Sequence, residues 1–468
     1  MSTSQPAVKK NLKNQLFVPA LLLGMFLTFT FTVFFSNAMV NVASSLKVTV
    51  GTASQILTIS SFVGLIVGFV MGFLTVRFKQ KSLFLLGVAL FGVGAIGWFF
   101  ATDFASALFF SLFLGIGTAM TGIVVFALIG DFLPLEKKGM AVGLAMAGVF
   151  AANLVVPQVT SVITNAAGWR AVLLWFIFPI SVVSLLFGFF ILPSKPWQEQ
   201  TANKPQYLNT FKQILLNKSA LACVVGTALM WVSFLTPMYA VSFYRLFFKE
   251  SLSMGAIFYS IASAMGILGV IVGGRFINRI GRKPLTVVAG AIQGVFATLI
   301  AFMPNAWASA AMWMISAGFA SATITGLTSL ALEQVPSFRG TMMSLNASFQ
   351  NIGLIVGLIL SGLVLNLYAN NFQSLYTMFG ICGVASAAVC SCLQKIPAKI
   401  NYFQLPDLQL PNLEQCHRRR KKSNGKLMPP LFVASTRRVF LCVSSLPLCL
   451  FFSVSHCLCM LVLDSKRM

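Results

Sequence analysis

The side chains that catalyse reactions or hold metals are scarce in this chain and badly placed for either task. There are nine acids, Asp103, Asp131, Glu136, Glu199, Glu250, Glu333, Asp407, Glu414 and Asp464. Both histidines, His417 and His456, lie close to the C-terminus, so a histidine-based triad or metal site is excluded from the first 415 residues. Gly115 to Gly117 and Gly281-Arg282-Lys283 do not make a nucleotide loop, because no strand precedes them and no Walker pattern follows. The chain is expected to have no catalytic residues, no metal and no cofactor; it does not read as an enzyme.

The elements that carry these residues explain the scarcity. Of 468 residues 57% are apolar and 9% charged, where a soluble domain has roughly 25% charged. With a mean hydropathy of +0.87, this is the composition of an integral membrane protein. Twelve apolar runs long enough to cross a bilayer fall at about 17–44, 51–76, 83–101, 107–132, 140–163, 170–192, 219–244, 251–276, 284–303, 306–331, 340–367 and 372–394. They must be helices, since lipid offers no partner to an unpaired backbone group. The expected fold is therefore an all-α membrane protein of twelve transmembrane helices.

The net charge of +24 reads as topology rather than as nucleic-acid binding. With the N-terminus in the cytoplasm, nineteen loop cations fall inside, and only Lys47, Arg170, Arg245 and Lys249 fall outside. A polar, Pro-containing segment at 194–218 divides the runs six and six, giving bundles at 1–193 and 219–395 joined by a cytoplasmic linker. Residues 396–468 form an atypical basic, Cys-rich tail with a further hydrophobic run at 439–463. It reads as an accidental extension, an interfacial anchor or an extra helix, and its cation cluster Arg418 to Lys422 suits anionic lipid.

The two halves repeat. Gly72, Arg77, Lys81 and Asp131 stand 202 residues before Gly274, Arg279, Lys283 and Glu333, the mark of a duplicated six-helix unit of the kind found in secondary transporters. The stretch Gly274-Arg275-Phe276-Ile277-Asn278-Arg279-Ile280-Gly281-Arg282-Lys283 resembles the loop signature of the major facilitator superfamily, with Gly72 to Lys81 as its decayed copy. Gly115-Ile116-Gly117, Gly168-Trp169-Arg170 and Arg339-Gly340 add to the resemblance, which is nearest to the twelve-span drug and sugar efflux (drug:proton antiporter-like) branch.

The resemblance implies that Gly72, Arg77, Lys81, Asp131, Gly274, Arg279, Arg282, Lys283, Glu333 and Arg339 form the cytoplasmic gate. The two glycines would let helices approach closely, and the arginines would pair with the acids. The same pairs would equally serve to staple helices within one bundle. Two departures from the family pattern stand out: Val76 and Asn278 replace its acid, and Ser111 stands where efflux members have an arginine. A role in proton coupling cannot be carried over to Ser111.

No acid or base lies near the centre of a run, where a charge costs about 2.5–3.5 kcal/mol, so the passage is expected to be neutral. Its substrate-contact candidates are Asn153, Trp231, Tyr239, Tyr259, Gln350 and Asn351, each of which would otherwise bond or pack between helices. These features together predict a secondary transporter in the plasma membrane, most simply a monomeric exporter of small neutral or amphipathic compounds, with protons as the candidate coupling ion. The alternatives are an uncoupled or uptake transporter for a neutral metabolite, and a transport-dead membrane protein.

Overall fold

A computed structural model describes residues 5–132, 135–192, 216, 218–334, 339–367 and 371–392. The linker and tail expectations fall outside these residues. Contacts divide the chain after Ile396, and everything below belongs to the first unit, Met1–Ile396. Among the described residues twelve helices are long and apolar enough to cross a membrane, and there are no strands.

In chain order the helices are α1 (Gln5–Ser45), α2 (Val50–Arg77), α3 (Gln80–Phe100), α4 (Phe104–Phe132), α5 (Leu135–Ala167) and α6 (Trp169–Ile191). The second half begins with α7, in two pieces, Lys218–Ser233 and Thr236–Leu246. It continues with α8 (Leu252–Ile280), α9 (Arg282–Leu299), α10 (Ala306–Gln334), α11 (Arg339–Leu367) and α12 (Phe372–Cys392). Each apolar run became one spanning helix, the seventh interrupted at Phe234 and Leu235. The first starts earlier than its run, because nothing in Gln5–Leu16 breaks a helix once the lipid-embedded part has nucleated it.

The turns are set by local chemistry. Asp103 and Ser106 cap α4 reciprocally: Ser106 N–H donates to Asp103 Oδ2 at 3.3 Å and Ser106 Oγ to Asp103 Oδ1 at 2.7 Å. These bonds, the Ser106 hydroxyl foremost, hold the Asp103 carboxyl below its ordinary pKa. Gly168 (φ 85°) and Gly281 (φ 95°) turn the chain into α6 and α9 in a conformation that a side chain disfavours.

The repeat is written into the backbone. Lys47 (φ 55°) and Lys249 (φ 58°) are the two non-glycine residues of positive φ among the described residues. They lie 202 positions apart, after α1 and α7. Ser36 of α1 donates its hydroxyl to the carbonyl of Met238 in α7 at 2.9 Å, again 202 positions away. A residue that touches its own repeat partner lies on the axis relating the halves, so α1 and α7 cross at a pseudo-dyad. The remaining contacts between halves obey the same symmetry: α2 packs on α11 and α5 on α8, and the 202-residue shift exchanges these two pairs.

α7 was expected to be continuous. Pro237 has no N–H for the Ser233 carbonyl, which takes the Thr236 hydroxyl at 2.8 Å instead. The helix is broken at Phe234 and Leu235.

Candidate functional site

The polar side chains that join the halves gather at the end of the molecule that carries the α1–α2, α5–α6, α7–α8 and α11–α12 turns. On the dyad, Ser36 Oγ also reaches the Pro237 carbonyl at 3.0 Å, and the Arg245 guanidinium donates to Asn41 Oδ1. Between α5 and α8, Gln158 Nε2 donates to Ser260 Oγ (3.1 Å), Ser161 Oγ to Ser253 Oγ (3.0 Å) and Asn165 Nδ2 to Ser253 Oγ (3.1 Å). Ser260 Oγ in turn donates to the Leu154 carbonyl at 3.0 Å. Gln158, Ser161 and Asn165 are spaced three and four apart, and Ser253 and Ser260 seven apart, so each set occupies one helix face.

The α2–α11 seam is closed differently, by backbone proximity. A methyl placed on Gly51 would lie 2.8 Å from the Gly362 carbonyl and 2.6 Å from Asn366 Oδ1; one on Gly362 would run into Gln55 and lie 2.9 Å from the Gly51 carbonyl. Thr49 Oγ1 to Asn366 Oδ1 (2.6 Å) and Gln55 Nε2 to the Leu358 carbonyl (3.3 Å) complete it. Toward the opposite end the helices have room: a methyl on Gly68 of α2, Gly143 of α5 or Gly274 of α8 would meet nothing within 4 Å.

That last observation corrects an expectation. Gly274 does not serve a close helix approach in this conformation: a methyl on it would meet nothing within 4 Å, and the close approach of this end of α8 to α10 falls on Gly273 instead, where a methyl would lie 3.0 Å from Ala322. Lys81, expected at the gate, donates to the Phe189 carbonyl at 2.6 Å and lies over the Phe189 ring, capping the last turn of α6 within its own half. Arg279 is exposed, and Arg282 and Lys283 are half-buried at the start of α9 and its approach. The side-chain positions of Gly72, Arg77, Asp131, Glu333 and Arg339 lie outside the described residues, though their backbones end or begin α2, α4, α10 and α11.

The six substrate-contact candidates separate into two groups. Tyr259 and Asn153 are brought together across the halves, with the Tyr259 hydroxyl on Asn153 Oδ1 at 3.1 Å and the ring edge-on to Trp313 at 5.8 Å. Tyr239 is fully buried, and its hydroxyl lies beside those of Ser54 in α2 and Ser361 in α11 without closing a hydrogen bond. These three belong to the seal. Trp231, Gln350 and Asn351, like Asn153, stand near mid-helix and are half-buried, but they make no bond across the halves among the described residues. The Trp231 indole packs on Phe234 at 5.1 Å with its N–H unpartnered, and Asn351 bonds only its own helix, at the Ala347 carbonyl.

Sequence reasoning passed over Ser36, Asn41, Arg245, Gln55, Gln158, Ser161, Asn165, Ser253, Ser260 and Asn366. The three-and-four spacing on α5 was a usable signal; the others depend on how the helices are rotated. Ser111 is buried, accepting from Trp98 Nε1 at 3.0 Å and donating to the Ala107 carbonyl, so it supports the α3–α4 packing. Every Asp, Glu, Lys and Arg whose side chain is described stands within about two turns of a helix end or in a turn.

Twelve spans in two dyad-related halves, pressed together at one end by polar side chains, define the class: a transporter built on a duplicated six-helix unit. The sequence profile of the Major Facilitator Superfamily matches residues 21–353 and 272–463, more than half of the chain, which belongs to that superfamily. The uncharacterized MFS-type transporter YbcL of Bacillus subtilis is 23% identical over 384 residues, covering 79% of this chain and 93% of that protein. Two further relatives match over shorter stretches. Rv1250 of Mycobacterium tuberculosis is 25% identical over 130 residues, 27% of this chain and 22% of its own length. YhcA of Bacillus subtilis is 26% identical over 184 residues, 39% of this chain and 34% of its own. The match therefore spans about a fifth to a third of those two. In fold the chain is similar to a mutant of the nucleoside transporter NupG (TM-score 0.68, 16% identity, 80% of this chain and 99% of that one). It is also similar to a D-xylose–proton symporter (TM-score 0.66, 15% identity, 80% and 96%).

Proposed function

We propose that this transporter exports small neutral or amphipathic organic compounds across the plasma membrane, as a monomer of the drug and sugar efflux type. Residues 1–193 rock against 219–395, with the 194–218 linker and the N-terminus in the cytoplasm. The observation that carries the reading is the lining: apart from the Arg245 guanidinium at the end of α7, the described polar side chains that bond between the halves are amides and hydroxyls, and charge is kept to helix ends. A phosphate or dicarboxylate would find no counter-charge at mid-depth.

The excess of cations on one set of loops supports the direction. It puts the sealed end outside and the roomier end in the cytoplasm, which is how an exporter stands when it loads. Trp231, Gln350 and Asn351 are the residues assigned to cargo, and Asn153, Tyr239 and Tyr259 change partners as the seal opens. The test is compound movement in everted vesicles across a panel of uncharged and amphipathic molecules, with and without an imposed pH gradient. Chain-dependent accumulation of at least one such compound is expected, reduced severalfold by Trp231→Ala. No movement across the panel, or movement of anions only, would sink the proposal; indifference to the gradient would make the transport uncoupled.

A further inference from the structure

The break in α7 leaves more behind than a kink. Leu235 N–H turns back to the Val232 carbonyl at 3.2 Å and Met238 N–H to the Leu235 carbonyl at 2.9 Å. The carbonyls of Trp231 and Phe234 thereby lose the N–H groups that an unbroken helix would give them, and that of Ser233 keeps only the Thr236 hydroxyl. A half-helix thus ends near the middle of a membrane span with acceptor oxygens to spare. The negative end of a helix dipole points the same way.

A further acceptor oxygen stands beside the end of this half-helix, on another helix of the half. Gln293 of α9, 1% exposed, donates through Nε2 to Ser233 Oγ at 2.6 Å, while its Oε1 has no hydrogen-bond partner. Gly383 of α12 is the floor: a methyl there would lie 2.5 Å from Gln293 Oε1 and 3.0 Å from Ser233 Oγ. Ser316 of α10, also buried, donates to the main-chain carbonyl of Gln293 at 3.2 Å and fixes the position of that stretch of α9. A fully buried amide oxygen left without a donor is costly, about 1–3 kcal/mol, unless something binds it.

We propose that the α7 break, with Ser233 and Gln293 facing it, is a binding site for a dehydrated monovalent cation of the size of Na+. The donor set decides the chemistry. Amide, hydroxyl and carbonyl oxygens cannot hold a proton at neutral pH, and without a carboxylate they do not offset the charge of Mg2+ or Ca2+. Unwound backbone carbonyls and half-helix C-terminal ends are what coordinate Na+ in membrane transporters with broken helices. The site also touches the machinery of the seal: Pro237 and Met238, whose carbonyls Ser36 grips from the other half, begin two residues after the break. Cation occupancy therefore fixes the shape of α7 and biases the seal, supplying a coupling ion where the described lining offers a proton no mid-depth carboxylate.

Only the purpose of the cation rests on the exporter reading. Binding is measured on purified full-length protein without cargo, so either can fail while the other stands. The probes are thermal unfolding in NaCl, KCl and choline chloride at equal ionic strength, and direct binding of 22Na+. A saturable rise in Tm with Na+ alone is expected, together with 22Na+ binding weakened at least tenfold by Gln293→Leu and by Ser233→Ala. If one variant does not fold, the other and the wild-type 22Na+ isotherm carry the test. Equal Tm in the three salts with no 22Na+ bound, an equal effect of K+, or Na+ binding unchanged in both variants would each overturn the proposal.

Discussion

Two residues show how the seal is tuned. Gly51 and Gly362 meet backbone to backbone, and neither has space for a methyl. Gly362→Ala forces Gln55 and the α2 backbone away from α11, an overpacking cost of about 1–3 kcal/mol that falls on the sealed state alone. Each 1.4 kcal/mol is a tenfold change in population, so the parted state should rise roughly five- to a hundredfold. Ser36, 1% exposed in the seal, reports on it: replaced by cysteine in both backgrounds, it should react with an impermeant maleimide on intact cells at least fivefold faster in the Gly362→Ala chain. Equal rates would mean that α2 and α11 do not part. Gly274 makes the opposite point. Its place in the loop signature was legible, but a signature does not say in which conformation a glycine is needed.

At the scale of elements, the two dyad-related seams close by different physics. Interhelical hydrogen bonds in lipid average about 0.6 kcal/mol, and Ser253 accepts two of them, from Ser161 and Asn165. Ser253→Ala should therefore weaken the α5–α8 seam by about 1 kcal/mol, raising the same alkylation rate by a factor of roughly five, and so no more than Gly362→Ala does. A larger effect than that of Gly362→Ala would show that α5–α8 carries most of the closure. All twelve helices were legible because bilayer thickness sets a length that apolar runs must meet. Their interruptions were not. Pro19 and Pro157 sit inside α1 and α5 without breaking them, whereas Pro237 breaks α7, where Thr236, Ser36 and Gln293 supply partners for the disturbed backbone and its neighbours. Whether a proline kinks or breaks a helix depends on how neighbouring helices hold the two pieces, which lies beyond local sequence. The same reason hid the crossing residues: the 202-residue repeat gave the symmetry, but helix rotation decides which polar side chains face the other half.

For the whole molecule, the question is whether the seal is weak enough to open and close in a working cycle. Among the described residues ten side-chain hydrogen-bond links cross it, counting the two-carbonyl grip of Ser36 once. At about 0.6 kcal/mol apiece they total about 6 kcal/mol. Moving a two-state equilibrium from 1:99 to 99:1 takes about 5.5 kcal/mol, so binding events of ordinary strength can reverse a seal of this kind. An ion-pair seal of similar extent would resist opening more strongly. A covalent link placed in the seal should therefore stop the cycle without disturbing the fold. Ser161 Oγ and Ser253 Oγ lie 3.0 Å apart, so the double variant Ser161→Cys with Ser253→Cys is positioned to form a disulfide across the halves in the sealed state. On oxidation this chain should lose export of every compound that its reduced form moves, and a reductant should restore it, while wild type treated with the same oxidant keeps its rate. Cross-linking confirmed by gel mobility together with undiminished export would show that the halves need not part at this end, and rocking about the dyad would have to be abandoned.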